Sequence, residues 1–106
     1  MGVYGMFTDW NYGFAYMGIT EIISDNSDKG SSPTDTGTDK DILDNLTFTS
    51  TASSFASMWE QWYKSIGRAT NSIQFTEEYG LTDENLKNRY IAEARFLRAL
   101  NYFLVG

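Results

Sequence analysis

The most regular pattern of apolar and polar positions in this sequence lies between residues 90 and 104. This segment contains no Gly or Pro, and Ala, Leu, Arg and Glu, which are strong helix formers, dominate it. On a helical wheel, Ala92, Phe96 and Phe103 fall side by side, whereas Arg95 and Arg98 lie on the other side. The pattern predicts an amphipathic helix over residues 83–104 with one wide apolar face packed against a neighbour.

Glu93 interrupts this apolar face, because it falls between Leu100 and Leu104 on the wheel. A carboxylate in an apolar environment needs a partner or a proton. A buried acid can serve catalysis, but it more often has a structural role. We therefore expect Glu93 to be buried and paired, either with backbone groups or with an Arg or Lys such as Lys64 or Arg68.

A second long helical pattern covers residues 54–78. Its apolar face comprises Phe55, Trp59, Trp62, Tyr63, Ile66, Ala69 and Ile73. Gly80 is typical of a left-handed residue that ends a helix, and Thr82 or Asp83 suits the next N-cap. The short connection predicts that the two helices pack antiparallel. The expected contact residues are Trp59, Tyr63, Ile66, Phe96, Leu100 and Phe103.

The first 51 residues are less regular. Residues 8–13 combine turn-forming and aromatic types, and residues 14–24 show helical spacing. Residues 41–51 fit either a helical turn or an extended segment. Residues 25–41 are rich in Asn, Ser, Asp, Gly and Thr and predict a long loop. An EF-hand does not fit, because Lys29 occupies a ligand position and Thr36 stands where the bidentate Glu belongs. A looser calcium site and a solvated loop both remain open.

Composition and charge exclude several classes of function. The 106 residues suffice for one small domain, and 42% of them are hydrophobic. The net charge of −6 argues against a nucleic-acid or anionic-membrane partner. The sequence has no Cys and no His, so thiol catalysis, zinc fingers and Ser-His-Asp triads are excluded. No catalytic constellation is present, and we expect a protein that is not an enzyme and needs no metal or cofactor.

The segment Ala92-Glu93-Ala94-Arg95-Phe96-Leu97-Arg98-Ala99-Leu100 resembles the G-E-A-R-F-L-R-A-L signature of SusD/RagB-like proteins, with Ala92 in place of Gly. These are surface nutrient-binding lipoproteins of Bacteroides-type bacteria. In the helix before it, Trp59, Tyr63, Ile66, Ala69 and Ile73 follow an order similar to that of the family. The resemblance makes Trp59, Tyr63, Glu93, Arg95, Phe96, Leu97 and Arg98 a structural signature.

The resemblance implies an all-α fold of tetratricopeptide-like helical hairpins in a superhelical scaffold. It also implies a longer protein, of which residues 1–106 are part of the N-terminal helical domain, with a lipid anchor outside this sequence as its membrane attachment. The implied function is glycan or nutrient binding at the outer-membrane surface, with delivery of oligosaccharide to a SusC-like TonB-dependent transporter. The alternative is a helical-repeat module that binds a protein segment and no sugar.

Binding residues concentrate on loops held by rigid scaffolds. Sugars suit aromatic stacking combined with planar polar groups. On these grounds the candidate ligand-binding residues are Trp10, Tyr12, Asn26, Asp28, Lys29 and Asp35. For the aromatic residues, packing between helices is the more common role.

Overall fold

The computed structural model describes residues 2–30, 32, 34, 38–80 and 82–106, except for the side chains of residues 38 and 39. Over these residues the protein is all-α, as the sequence predicts, with four α-helices and no strand. The helices are α1 (Trp10–Met17), α2 (Thr38–Asp44), α3 (Ser53–Tyr79) and α4 (Glu84–Val105). A 3-10 helix (Tyr4–Thr8) precedes α1, and a π-helical segment (Gly18–Ile22) continues it. None of the described helices is long and apolar enough to cross a membrane.

The chain divides into two compact units. The first comprises Met1–Phe7 and Gln61–Gly106, and we call it the hairpin unit; the second comprises Thr8–Glu60 and is called the N-terminal unit. Helix α3 supplies residues to both.

In the hairpin unit, the second part of α3 packs antiparallel against α4. The Arg98 guanidinium donates to Thr70 Oγ1 at 3.4 Å, and Arg95 lies 3.7 Å from the Glu77 carboxylate. Later residues of α4 therefore meet earlier residues of α3, which confirms the predicted antiparallel pair. The core is formed by Val3, Ala69 and Leu97, with Phe7 packed against it.

The start of α4 and the end of α3 both lie within one residue of the predicted positions, but the glycine after α3 differs from the prediction. Asp83 is the N-cap, since its side chain accepts from the amides of Asn85 and Leu86 at 3.0 and 3.4 Å. Gly80, however, does not have the positive φ that we predicted. A β-carbon at Gly80 would collide with the Thr76 carbonyl oxygen. Only glycine, which has no β-carbon, fits this position without a shift of the backbone.

The buried side of α4 is not the one that the sequence predicts. The buried residues are Ala94, Leu97 and Asn101, whereas Phe96 is 67% exposed and Phe103 is 80% exposed. The apolar arc spans about half of the helix, and α3 covers only one edge of it. The expected contact residues Trp59 and Tyr63 are likewise 56% and 44% exposed, and Ile66 is the predicted contact that is buried.

The N-terminal unit begins with α1, which starts earlier than predicted. Asp9 caps this helix by accepting from the Asn11 amide at 2.9 Å, so residues 10–13 are helical rather than a turn. The π-helical continuation passes close to α2: a β-carbon at Gly18 would lie 2.9 Å from Lys40 Cε and 3.2 Å from Leu43 Cδ1. The buried apolar residues of this unit include Tyr12, Ala15, Ile22, Leu43, Ala52 and Met58.

Helix α2 shortens the predicted loop, because it begins at Thr38 rather than after residue 41. It ends in a Schellman motif: the Thr47 amide donates to the Ile42 carbonyl at 2.9 Å, and the Leu46 amide donates to the Leu43 carbonyl at 3.2 Å. Leu46 occupies the left-handed position, with φ of 55°. This motif returns the chain toward α3.

Candidate functional site

A polar recess of about 230 Å³ lies in the N-terminal unit, between the first turn of α1, Lys40 of α2 and the first turns of α3. We call it the Trp10 recess. It combines aromatic rings with hydroxyl, amide and ammonium groups. The lining residues are Trp10, Asn11, Phe14, Ala15, Lys40, Ser53, Ser54 and Ser57.

The aromatic wall of the Trp10 recess is a stacked pair. The Trp10 and Phe14 ring centroids are 4.8 Å apart, with an angle of 17° between the planes. The two residues are four positions apart on α1, which places them on the same side of the helix. Asp9 caps the helix immediately before Trp10, so Trp10 lies in the first turn of α1, where it is 72% exposed.

Lys40 supplies the charge of the recess. The residue is only 2% exposed, and its Nζ lies 4.5 Å from the centroid of the Phe14 ring. Lys40 Nζ also donates to Ser54 Oγ. A buried ammonium is stable only when hydrogen bonds or an aromatic face replace its water. Phe14 and Ser54 provide both kinds of contact and thereby fix the position of the charge.

This combination suits a polyhydroxylated ligand. An exposed aromatic face can pack against the apolar C–H face of a sugar ring. The Asn11 amide and the hydroxyls of Ser53 and Ser57 have the donor and acceptor groups that sugar hydroxyls bind.

Among the candidate residues inferred from the sequence, Trp10 alone lines this recess. Tyr12 is 7% exposed and belongs to the core. Asn26 and Asp28 are exposed and do not line the recess, and Asp35 lies outside the described residues. Lys29 is held by an ion pair of 3.0 Å with Asp41. The structure therefore does not bring the five described candidates together in this recess.

Phe14, Lys40 and Ser57 line the recess but are not among the candidate residues that the sequence predicts. The spacing of Trp10 and Phe14 is a signal that could have been used, because residues at positions i and i+4 of a helix are neighbours. Lys40 and Ser57 had no such signal, since they reach the recess only through the packing of α2 and α3 within the unit.

The hairpin unit has a larger and more apolar recess of about 410 Å³, which we call the Glu93 recess. Its lining combines three aromatic rings with three aliphatic side chains: Tyr4, Phe75, Tyr90, Val3, Ala94 and Leu97. Its volume is in the range of small-molecule sites. The one ionisable carboxylate in its lining is that of Glu93.

The Glu93 carboxylate is paired, as predicted, but it is not buried, and its partners differ from those expected. Its side chain is 36% exposed, and it accepts from Arg89 Nε at 3.0 Å and from the Tyr4 hydroxyl at 3.2 Å. Arg89 lies one helical turn before Glu93, so α4 supplies the partner instead of Lys64 or Arg68 of α3.

These contacts change two pKa values. The hydrogen bond from Arg89 is the main cause that lowers the pKa of Glu93, and the Tyr4 hydroxyl lowers it further. The pKa of Tyr4 is raised, first by desolvation and then by the negative charge of Glu93. The arrangement favours an ionised carboxylate and a neutral phenol.

Within the described part of the chain, no group of three or more His, Cys, Asp or Glu residues is placed to hold a metal ion. Comparison with protein families, with curated proteins and with solved structures finds no match.

Proposed function

We propose that this chain binds glycans or related nutrients at the bacterial outer-membrane surface, as a helical part of a SusD/RagB-like protein that passes oligosaccharide to a SusC-like TonB-dependent transporter. The role is binding rather than catalysis. The resemblance of the Ala92–Leu100 segment supports the family, and the all-α fold with an antiparallel pair of long helices is compatible with it.

The observation that carries the proposal is the 72% exposed indole of Trp10 at a recess of polar side chains. A large aromatic residue at the surface is not unusual by itself. Here the Phe14 ring stacks against the indole, and residues with hydroxyl, amide and ammonium groups line the same recess. Such a site provides both the stacking and the hydrogen bonding that a sugar ring requires.

The test is calorimetric titration of the chain with a panel of neutral and acidic oligosaccharides, followed by the same titration of variants. Trp10→Ala should weaken binding by about 2 kcal/mol or more, roughly thirtyfold, because truncation removes a hot-spot aromatic residue. Trp10→Phe should retain part of the affinity, since it keeps a ring at this position.

Trp59→Ala is the matched control, because Trp59 is 56% exposed and does not line the recess. It should bind like the unmodified chain. The proposal fails if no oligosaccharide binds, or if folded Trp10→Ala binds as tightly as Trp59→Ala. Circular dichroism of each variant shows whether it is folded.

A further inference from the structure

Helix α4 carries an exposed apolar stripe with the spacing of a coiled-coil seam. We call it the α4 stripe, and its residues are Ala92, Phe96, Ala99 and Phe103. Their separations alternate between four and three residues, which keeps the side chains on one line along a helix. Both alanines are exposed, and the two phenylalanines are 67% and 80% exposed.

The α4 stripe is separate from the packed side of its own unit. Ala94, Leu97 and Asn101 are buried, so α4 already has one covered side. Isolated exposed apolar residues are common in proteins, but a continuous exposed line of them marks an interaction surface. The heptad spacing indicates that the surface fits another helix.

The alternation of alanine and phenylalanine along the α4 stripe indicates which helix would pack on it. Phe96 and Ala99 are equally distant from the midpoint between Leu97 and Arg98, and Phe103 and Ala92 are also equally distant from it. An antiparallel pair of α4 helices with a twofold axis at this midpoint places every phenylalanine opposite an alanine. A parallel pair would place ring against ring and leave gaps between the alanines.

We propose that the α4 stripe is a self-association surface on which α4 of a second copy of this chain docks antiparallel, each Phe ring packing against an alanine of the other copy. Such a contact is isologous: the same surface serves both copies, as in most homodimers. This inference goes beyond glycan binding and does not depend on it.

The residues beside the stripe are compatible with this pairing. In an antiparallel seam, Arg95 lies across from the partner's Tyr102, and Glu93 lies across from the partner's Leu100. No two like charges face each other. Arg95 and Tyr102 are both exposed on the monomer, and a guanidinium beside a phenol ring gains a cation–π contact.

The size of the stripe sets the strength of the dimer. A buried aromatic side chain removes about 150–250 Å² from water, so the exposed parts of Phe96 and Phe103 offer roughly 220–370 Å² per copy. A stable standard interface buries about 800 Å² per partner. The stripe and its flanking residues therefore support a reversible dimer that forms at micromolar or higher concentrations.

Sedimentation velocity of the unmodified chain, from roughly 5 to 500 μM, measures this equilibrium. We expect a concentration-dependent shift from one chain to two. Phe103→Ala should weaken association by about tenfold or more, because it removes one of the two aromatic rings that each copy contributes to the contact. The matched control is Phe75→Ala on α3: Phe75 is 68% exposed but lies outside the stripe, and association should be unchanged.

Cross-linking tests the register, and the absence of Cys from the sequence makes it specific. Phe103→Cys also removes a ring, so the two variants are mixed at the upper end of the concentration range. Under mild oxidation, chains with Ala92→Cys and chains with Phe103→Cys should then form the mixed disulfide. Disulfides between two Ala92→Cys chains should be rare, because an antiparallel pair separates these positions by about 16 Å along the helix, far beyond bridging distance.

Three results would overturn the proposal. The first is a chain that stays monomeric over the whole concentration range. The second is equal loss of association in Phe75→Ala and Phe103→Ala, which would indicate non-specific aggregation. The third is preferential formation of the Ala92→Cys homodisulfide, which would indicate a parallel pair. Since Phe103 is 80% exposed, its variants should remain folded, and circular dichroism verifies this.

Discussion

Phe96 and Leu97 are adjacent in the chain but lie on different sides of α4: Phe96 is 67% exposed, and Leu97 is 5% exposed. Leu97 packs with Val3 and Ala69 in the core of the hairpin unit. Leu97 should therefore contribute more than Phe96 to the stability of the chain, although the sequence pattern predicts Phe96 as the buried contact residue.

The first prediction compares these two neighbours. Leu97→Ala should lower the free energy of unfolding by about 2–5 kcal/mol, because it leaves a cavity in the core. Phe96→Ala should change it by less than about 1 kcal/mol, since exposed sites tolerate substitution. Urea unfolding at a submicromolar protein concentration, below the range in which the proposed dimer forms, measures both values. A larger loss for Phe96→Ala than for Leu97→Ala would contradict the packing described for α4.

The second prediction assigns Lys29 a structural role. Its side chain is 10% exposed and lies 3.0 Å from the Asp41 carboxylate, and its backbone amide donates to Asp44 at 3.4 Å. Lys29→Met should cost about 1–2 kcal/mol of stability, a value between those of exposed and buried ion pairs. Oligosaccharide affinity should be unchanged, because Lys29 does not line the Trp10 recess.

A double-mutant cycle isolates the Lys29–Asp41 ion pair. Once Asp41→Asn has removed the opposite charge, Lys29→Met should cost clearly less than it does alone. Equal costs in the two backgrounds would show that the ion pair contributes nothing.

The third prediction concerns the Schellman motif at the end of α2. Leu46 has φ of 55°, a conformation that costs a residue with a β-carbon about 1–2 kcal/mol, and it is 62% exposed. Leu46→Gly removes that strain and loses about 0.5–1 kcal/mol through the greater freedom of the unfolded chain. The net result should be a stabilisation of about 0.5–1 kcal/mol.

Leu46→Ala is the control for this prediction, because alanine keeps the β-carbon and should give no comparable gain. Thermal melts followed by circular dichroism compare the three proteins. If Leu46→Gly melts below Leu46→Ala, the left-handed conformation of residue 46 is wrong.

The long helices could be predicted from the sequence because their signals are local. Helical spacing persists over many residues in α3 and α4, and the Asp83 cap has its sequence signature beside it. The start of α1 was missed for a local reason as well. Asp9 is followed by Trp, Asn, Tyr and Gly, a composition typical of a turn, and the capping bond to the Asn11 amide makes the segment helical.

The candidate sites and the packed side of α4 could not be predicted, since both depend on contacts between distant residues. The apolar arc of α4 is wide enough to offer two faces, and the positions of α3 and of Val3 determine which one is buried. Trp10, Lys40 and Ser57 lie far apart in the chain and meet in one recess. Glu93 pairs with Arg89, which lies one turn earlier on the same helix. The sequence-based prediction considered Lys and Arg residues of the other helix and therefore did not include this partner.

The last prediction follows from the lowered pKa of Glu93, whose main cause is the hydrogen bond from Arg89. The unfolded chain binds a proton at Glu93 near the ordinary pKa of about 4.3, whereas the folded chain resists protonation until a lower pH. The contribution of Glu93 to stability is therefore complete above the unfolded pKa and is lost as the pH falls toward the folded pKa. On acidification from about pH 6 to about pH 3, the unmodified chain should lose more stability than Glu93→Gln, which has no carboxyl group to titrate.

Arg89→Gln is the matched variant for this experiment, because it keeps the carboxyl group and removes the main cause of its shift. Its stability should depend on pH nearly as weakly as that of Glu93→Gln. Urea unfolding at a series of pH values gives the three curves, and all other carboxyl groups contribute equally to each. In addition, an NMR titration of the Glu93 side chain should show a lower midpoint in the unmodified chain than in Arg89→Gln. Three parallel stability curves, or equal NMR midpoints, would show that the Arg89–Glu93 contact does not hold the carboxylate in its charged form.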